Sequence, residues 1–151
     1  MGAGSVISLL KKKYKIDCAI TAIEKDEVVI ELAKKYFNIN QFKPFMIVNQ
    51  DAFEYTQQTN TKYDLIISDI FVDGNVPEIF ATPEYLKNLK RISNDKCCIL
   101  YNKMTELQIH KKEIVEFEKQ FEIFFPGSIN HKLYAYESEN SVLCYNTLAL
   151  K

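Results

Sequence analysis

No stretch of this 151-residue chain approaches the roughly 18 consecutive apolar residues that a bilayer-spanning helix needs. Its start has no basic segment followed by a long apolar one, so no secretory signal is expected. Net charge is also lacking: 19 Lys and Arg stand against 20 Asp and Glu, a formal charge of −1. Without a basic excess, a dedicated nucleic-acid binder is not expected. His110 and His131 stand alone and no C-x-x-C occurs, so no metal centre is expected. The four cysteines, Cys18, Cys97, Cys98 and Cys144, lie in apolar, strand-like runs. Such thiols read as buried and reduced, which points to the cytoplasm. Internal repeats and low-complexity segments are missing too. What remains is the composition of one globular domain over residues 1–151, with 47% hydrophobic and 26% charged residues, long enough to bury a core.

Glycine is sparse, with 4 in the chain, yet Gly2 and Gly4 open it. Lacking a Cβ, glycine lets backbone come close to a ligand. A short apolar helix is expected over Val6–Leu10, then a charged turn over Lys11–Lys15. An apolar strand, Cys18–Ile23, ends in Glu24. Glycine turn, helix, strand and acid form the crossover half of a nucleotide-binding unit, and an acid at that strand tip can accept both ribose hydroxyls. The strand that should precede the glycines does not appear, because the chain starts at the turn. A nicotinamide-dependent oxidoreductase shares the turn and the acid. Against it, Ile7 replaces the third glycine of G-x-G-x-x-G, and no Tyr-Lys or His catalytic set stands out.

The remaining elements alternate in type. That predicts an α/β, Rossmann-like fold with a mostly parallel twisted sheet. Asp26 caps a predicted helix from Glu27 to Phe37, with Val28, Val29, Leu32, Ala33 and Tyr36 as its apolar face and Asn38 closing it. Phe45–Val48 reads as a short strand with Pro44 at its mouth. Asp51-Ala52-Phe53 begins a helical turn. Tyr63–Phe71 is the strongest strand, and consecutive Leu65, Ile66 and Ile67 predict cover on both faces. Asp73-Gly74 signals a turn. Thr82-Pro83-Glu84 starts a helix that runs to about Ile92. Asn94-Asp95 turns the chain into a buried strand, Cys97–Tyr101. Thr105-x-x-Gln108 reads as a capping box opening a helix to about Gln120. Phe121–Phe125, Lys132–Glu137 and Val142–Leu148 are β-prone. Glu139-Asn140 suggests the turn of an antiparallel C-terminal hairpin.

Three acids, Glu24, Asp51 and Asp69, fall at or just after the C-terminal ends of successive predicted strands. Open α/β sheets bind ligands outside those ends. The set suits a nucleoside. Glu24 takes the ribose hydroxyls, Asp51 accepts from an adenine amine near the Ala52 amide, and Asp69 faces the reacting end. Asp26 is a second candidate at the ribose and equally a helix cap.

Taken in order, these motifs resemble a known family. Gly2-Ala3-Gly4-Ser5, the run from Ala22-Ile23-Glu24-Lys25-Asp26 to Tyr36-Phe37, Asp51-Ala52-Phe53-Glu54-Tyr55 and Tyr63-Asp64-Leu65-Ile66-Ile67-Ser68-Asp69 resemble the spermidine synthase-like branch of the S-adenosylmethionine-dependent class I methyltransferase fold. Asp73-Gly74-x-Val76-Pro77-Glu78 and Thr82-Pro83-Glu84-Tyr85 are similar to the loop and helix that follow in its methyltransferase-like members. The resemblance implies S-adenosylmethionine, or its decarboxylated form, as cofactor. Gly2, Gly4, Glu24, Lys25, Asp51, Ala52 and Asp69 are its expected contacts. Asp69 is also the expected catalytic residue, orienting an amine and accepting its proton. Methyl transfer to an unidentified nucleophile is the implied reaction. The alternatives are polyamine aminopropyl transfer (spermidine synthase), a non-catalytic remnant with an assembly role, and the NAD-dependent oxidoreductase. The expected partner is a small-molecule or protein amine acceptor, not nucleic acid or membrane, with a homodimer left open. Tyr85, Asn102 and Lys103 lie near later strand ends or helices as candidate pocket residues, Tyr85 reading more readily as helix packing.

The chain departs from true spermidine synthases after Asp69. Ile70, Phe71, Val72 and Asp73 follow it, displacing the second acid by one and omitting its proline. The N-terminal β-domain of those enzymes has no counterpart here. The resemblance therefore supports the adenosyl site better than the polyamine site. Family strand order is 3-2-1-4-5-7-6, and the first strand is the one not present. Unpaired buried backbone groups cost about 1–3 kcal/mol each. The slot is thus expected to be closed by direct pairing of its neighbours or by a partner chain.

Overall fold

A computed structural model describes residues 1–72, 75–106, 111–135 and 138–146. The backbone divides into two units, Met1–Gln58 and Thr59–Lys151.

In the first unit, Gly4 takes a left-handed φ of 84° and starts helix α1, Ser5–Ser8. The segment Leu9–Lys13 continues as a wide π-type turn, so Lys11, Lys12 and Lys13, expected in a charged turn, are helical, while Lys15 lies beyond the helix. The Lys11 ammonium donates to the Cys18 carbonyl. Cys18 is half-buried and lies before the strand rather than in it. Strand β1, Ile20–Glu24, pairs in parallel with β2, Phe45–Asn49, in a register running from Ile20↔Phe45 to Glu24↔Asn49. Between them runs α2, Glu27–Phe37, capped by Asp26 and ended by Asn38 at φ 48°. Helix α3, Ala52–Gln58, follows β2.

The apolar face of α2 is the expected one only in part: Ala33 is buried and Val29 half-buried as expected. Ile30 and Ala33 are buried, whereas Val28, Leu32 and Tyr36 are 62%, 46% and 65% exposed. These three form one line at i, i+4 and i+8. The unit's core, Ile7, Ala22, Ala33, Ile39 and Phe42, meets the helix on the Ala33 side and leaves that line uncovered.

In the second unit, β3, Tyr63–Ser68, pairs in parallel with β4, Ser93–Glu106. Antiparallel strands β6, Ser138–Tyr145, and β5, Ile129–Ala135, complete the order β3-β4-β6-β5. Glu139 and Asn140 lie inside β6 rather than in a turn. Among the described residues, β3 has a ladder on one edge only. Leu65 and Ile66 are accordingly half-buried and Ile67 is 36% exposed, which corrects the expectation of full cover. Burial passes to β4 instead, where Cys97, Cys98, Ile99 and Tyr101 are fully enclosed.

Strand β4 also begins earlier and ends later than expected. Asn94 and Asp95 lie within it, where the register jumps from Tyr63↔Ser93 to Leu65↔Cys98. The Asn94 amide donates to Asp64 at 2.6 Å and holds the irregularity. Thr105 extends the strand rather than capping a helix, and Gln108 lies outside the described residues. Helix α4, Pro83–Arg91, starts where expected, with the Tyr85 N–H donating to Thr82 Oγ1 at 3.3 Å. Helix α5, Lys111–Phe124, absorbs the run from Phe121 that reads as β. Phe121 and Phe125 are wholly buried and stack with ring centroids 4.7 Å apart, so packing overrides strand propensity. Asp73-Gly74 lies outside the described residues, between Val72 and Asn75, which exchange two backbone hydrogen bonds of 2.8 and 3.0 Å.

Among the described residues, β1 is paired with β2 and β3 with β4. Within each sheet the strand order is the one expected. Among the described residues, no helix is long and apolar enough to cross a membrane.

Candidate active site

Parallel pairing of β1 with β2 brings Glu24 and Asp51 to one rim, since Glu24 lies opposite Asn49, two residues before Asp51. Glu24 is the hub of that rim. Its Oε2 accepts from the Gly2 N–H at 3.0 Å and the Met1 ammonium at 3.2 Å, and its Oε1 from the Asp26 N–H at 3.1 Å. Partial burial works to raise the carboxyl's pKa. The hydrogen bonds from Gly2 and Asp26 and the nearby ammonium outweigh it and hold the group below its ordinary value. A carboxylate offers about four acceptor positions, and three donors use them here. Glu24 therefore fastens the glycine turn, and a ribose diol would have to displace one of those donors.

Gly2 and Gly4 differ in what they permit. At Gly2, φ is 55° and a Cβ would meet nothing within 4 Å. At Gly4, φ is 84° and a Cβ would lie 2.7 Å from Ile39 Cγ2. Gly2 thus edges open space, while Gly4 is a packing requirement. Asp26 points its carboxylate at its own helix, accepting from Val28 and Val29 at 2.8 and 3.4 Å, so the capping role is the one observed. Asp51 caps α3 in the same way, with Oδ1 accepting from the Phe53 N–H at 2.8 Å. Ala52 opens that helix. Lys25 is exposed. Sequence reasoning missed Asn49, whose amide donates to the carbonyls of Glu24 and Lys25 at 3.0 and 3.1 Å. The signal was a polar residue closing an apolar strand.

In the second unit, Asp69 follows the last residue of β3 and is exposed. Because Ser68 pairs with Tyr101, Asp69 lies beside Asn102, whose Nδ2 donates to Asp69 Oδ1 at 2.8 Å. Beneath it, Ser68 Oγ and Tyr85 OH are hydrogen-bonded at 3.2 Å. Tyr85 is 2% exposed, so it holds the strand tip from inside. Lys103 is turned elsewhere, its ammonium 4.6 Å from the Phe117 ring centroid. Burial lowers its pKa, opposed by Glu113.

Residues 3–138 match the family model described as spermine/spermidine synthase domain. A polyamine aminopropyltransferase of Vibrio vulnificus (strain CMCP6) is 27% identical over 128 residues, covering 83% of this chain and 42% of that protein. An eEF1A lysine and N-terminal methyltransferase homolog of Drosophila melanogaster is 26% identical over 113 residues, 68% of this chain and 16% of that protein. The chain thus spans less than half the length of either. Human methyltransferase-like protein 13, solved in complex with SAH, superposes with a TM-score of 0.76 at 19% identity, covering 94% of this chain and 67% of that one. This structural likeness establishes the α/β, Rossmann-like methyltransferase fold.

Proposed function

Since the chain belongs to the spermine/spermidine synthase domain family, we propose that it is an S-adenosylmethionine-dependent transferase acting on an amine. Methyl transfer is the favoured reaction and aminopropyl transfer from the decarboxylated cofactor the alternative. The observation that carries the reading is the extent of the family match. Residues 3–138 include Gly4, Glu24, Lys25, Asp51, Ala52 and Asp69.

The residues fit an adenosyl group unevenly. Asp51 is half-buried and commits only Oδ1 to its helix among the described residues, leaving Oδ2 to accept from an adenine amine beside Ala52. Gly2 has no neighbour where a Cβ would stand and allows close approach of a ligand. Glu24 binds the ribose by exchanging a backbone donor for a hydroxyl. When bound, the cofactor supplies a sulfonium whose carbon is transferred as its C–S bond breaks and the electron pair returns to sulfur. Asp69 orients the amine by accepting an N–H and takes the proton released as the new C–N bond forms. The four cysteines are unpaired, in keeping with a cytoplasmic location.

Calorimetric titration with S-adenosylmethionine, its decarboxylated and demethylated forms and NAD tests the reading. Micromolar binding of an adenosyl sulfonium or thioether is expected. Spermidine formed from putrescine and the decarboxylated cofactor would select aminopropyl transfer. Binding of NAD alone would overturn the assignment, and flat titrations on folded protein would leave a non-catalytic remnant.

A further inference from the structure

On the transferase reading above, which its role depends on, we propose that Asn102 is a positioning residue that fixes the Asp69 carboxylate and selects the oxygen presented to the amine. The 2.8 Å bond from Asn102 Nδ2 to Asp69 Oδ1 is directional. An ionised carboxylate only accepts, so the amide nitrogen must face it. Among the described residues, Oδ2 carries no hydrogen bond. It is therefore the oxygen left to receive an N–H from the acceptor.

The other end of the amide argues that this arrangement is not kept for the fold. Asn102 Oδ1 is buried and, among the described residues, has no hydrogen-bond partner. A buried polar atom without a partner is unfavourable, and an apolar side chain of similar size would avoid it. Asn102 stands in β4 opposite Val142 of β6, a place where an apolar residue would be expected. What the asparagine adds there is the donor to Asp69. The neighbouring cation does not compete for that carboxylate. Successive strand residues point to opposite faces, and the Lys103 ammonium lies over Phe117. The Ser68–Tyr85 bond anchors the strand one residue before Asp69. Backbone and side chain of the acid are thus both held.

The test uses the full chain and two probe pairs, S-adenosylmethionine with a lysine peptide and decarboxylated S-adenosylmethionine with putrescine. Asn102→Leu keeps the side-chain size and removes the donor. It is expected to lower kcat about tenfold or more on the pair that wild type accepts. The Kd for S-adenosylhomocysteine should stay within about twofold, and Tm should not fall. Asn102→Gln, which retains an amide donor, should recover part of the turnover. Turnover by Asn102→Leu within about twofold of wild type would overturn the role. So would a fall in Tm that tracks the loss of turnover in both variants, because Asn102 would then belong to the fold. Wild-type protein that binds no adenosyl ligand and converts neither pair would instead overturn the transferase reading, and the role with it.

Discussion

At Gly4 both conformation and space are fixed. Its φ is 84° and a Cβ would stand 2.7 Å from Ile39 Cγ2. Ile39 is 1% exposed and has nowhere to retreat. Gly4→Ala should lose about 1–2 kcal/mol to the left-handed backbone and about 1–3 kcal/mol more to overpacking, read as a lower urea midpoint. Gly2→Ala meets no neighbour and should show the backbone part alone; equal losses would mean the Ile39 contact yields. Glu24 makes a second prediction. Its folded-state pKa is lowered from an ordinary 4.5, so its contribution is present above that value and lost as pH falls toward the folded one. Stability of wild type should decline on acidification below about pH 4.5 more steeply than that of Glu24→Gln. Identical slopes in acid melts would contradict it. The sequence made Glu24 legible as an acid at a strand tip. It did not reveal the carboxylate's donors, because Met1 and Gly2 come from the far end of the crossover.

At the scale of elements, local chemistry read well and non-local chemistry did not. Asp26, Asn38 and Thr82 set helix ends from groups within a few residues, and all three do so as expected. Thr82→Ala should therefore cost about 1 kcal/mol in a denaturation midpoint while Thr82→Ser retains most of it. Equal losses in the two variants would mean the hydroxyl is not the cap. The wrong expectations depend on partners far along the chain. Val28, Leu32 and Tyr36 have the spacing of a core face, but the core meets α2 beside them. Phe121–Phe125 has strand propensity, yet Phe121 packs on Tyr101 at 5.9 Å between centroids and on Phe117 at 6.1 Å, contacts that require a helix facing β4. Phe121→Ala should cost about 3–5 kcal/mol, more than any cap.

At the scale of the whole molecule, the two units differ in what holds each together. The first rests on a cluster of Ile7, Ala22, Ala33, Ile39 and Phe42 and the parallel pair of β1 and β2. The second encloses Cys97, Cys98, Ile99, Tyr101, Phe121 and Phe125 completely. Opening free energies follow buried apolar contact and backbone pairing. Amides of β1 and β2 should exchange with deuterium faster than those of central β4 and β6. An adenosyl ligand should change that ranking locally. A ligand that binds only the folded state stabilises it by about 2.7 kcal/mol at a concentration of 100 Kd. With S-adenosylhomocysteine at saturation, protection should rise most along the Glu24 rim, at Gly2–Gly4, Glu24–Asp26 and Asn49–Phe53, the backbone groups that meet the ligand on the proposed reading or brace the residues that do. Protection that rises only in β5 and β6, or nowhere although calorimetry reports binding, would remove Glu24 and Asp51 from the cofactor site. The fold's carboxyl rim would then not be where this chain holds its adenosyl group.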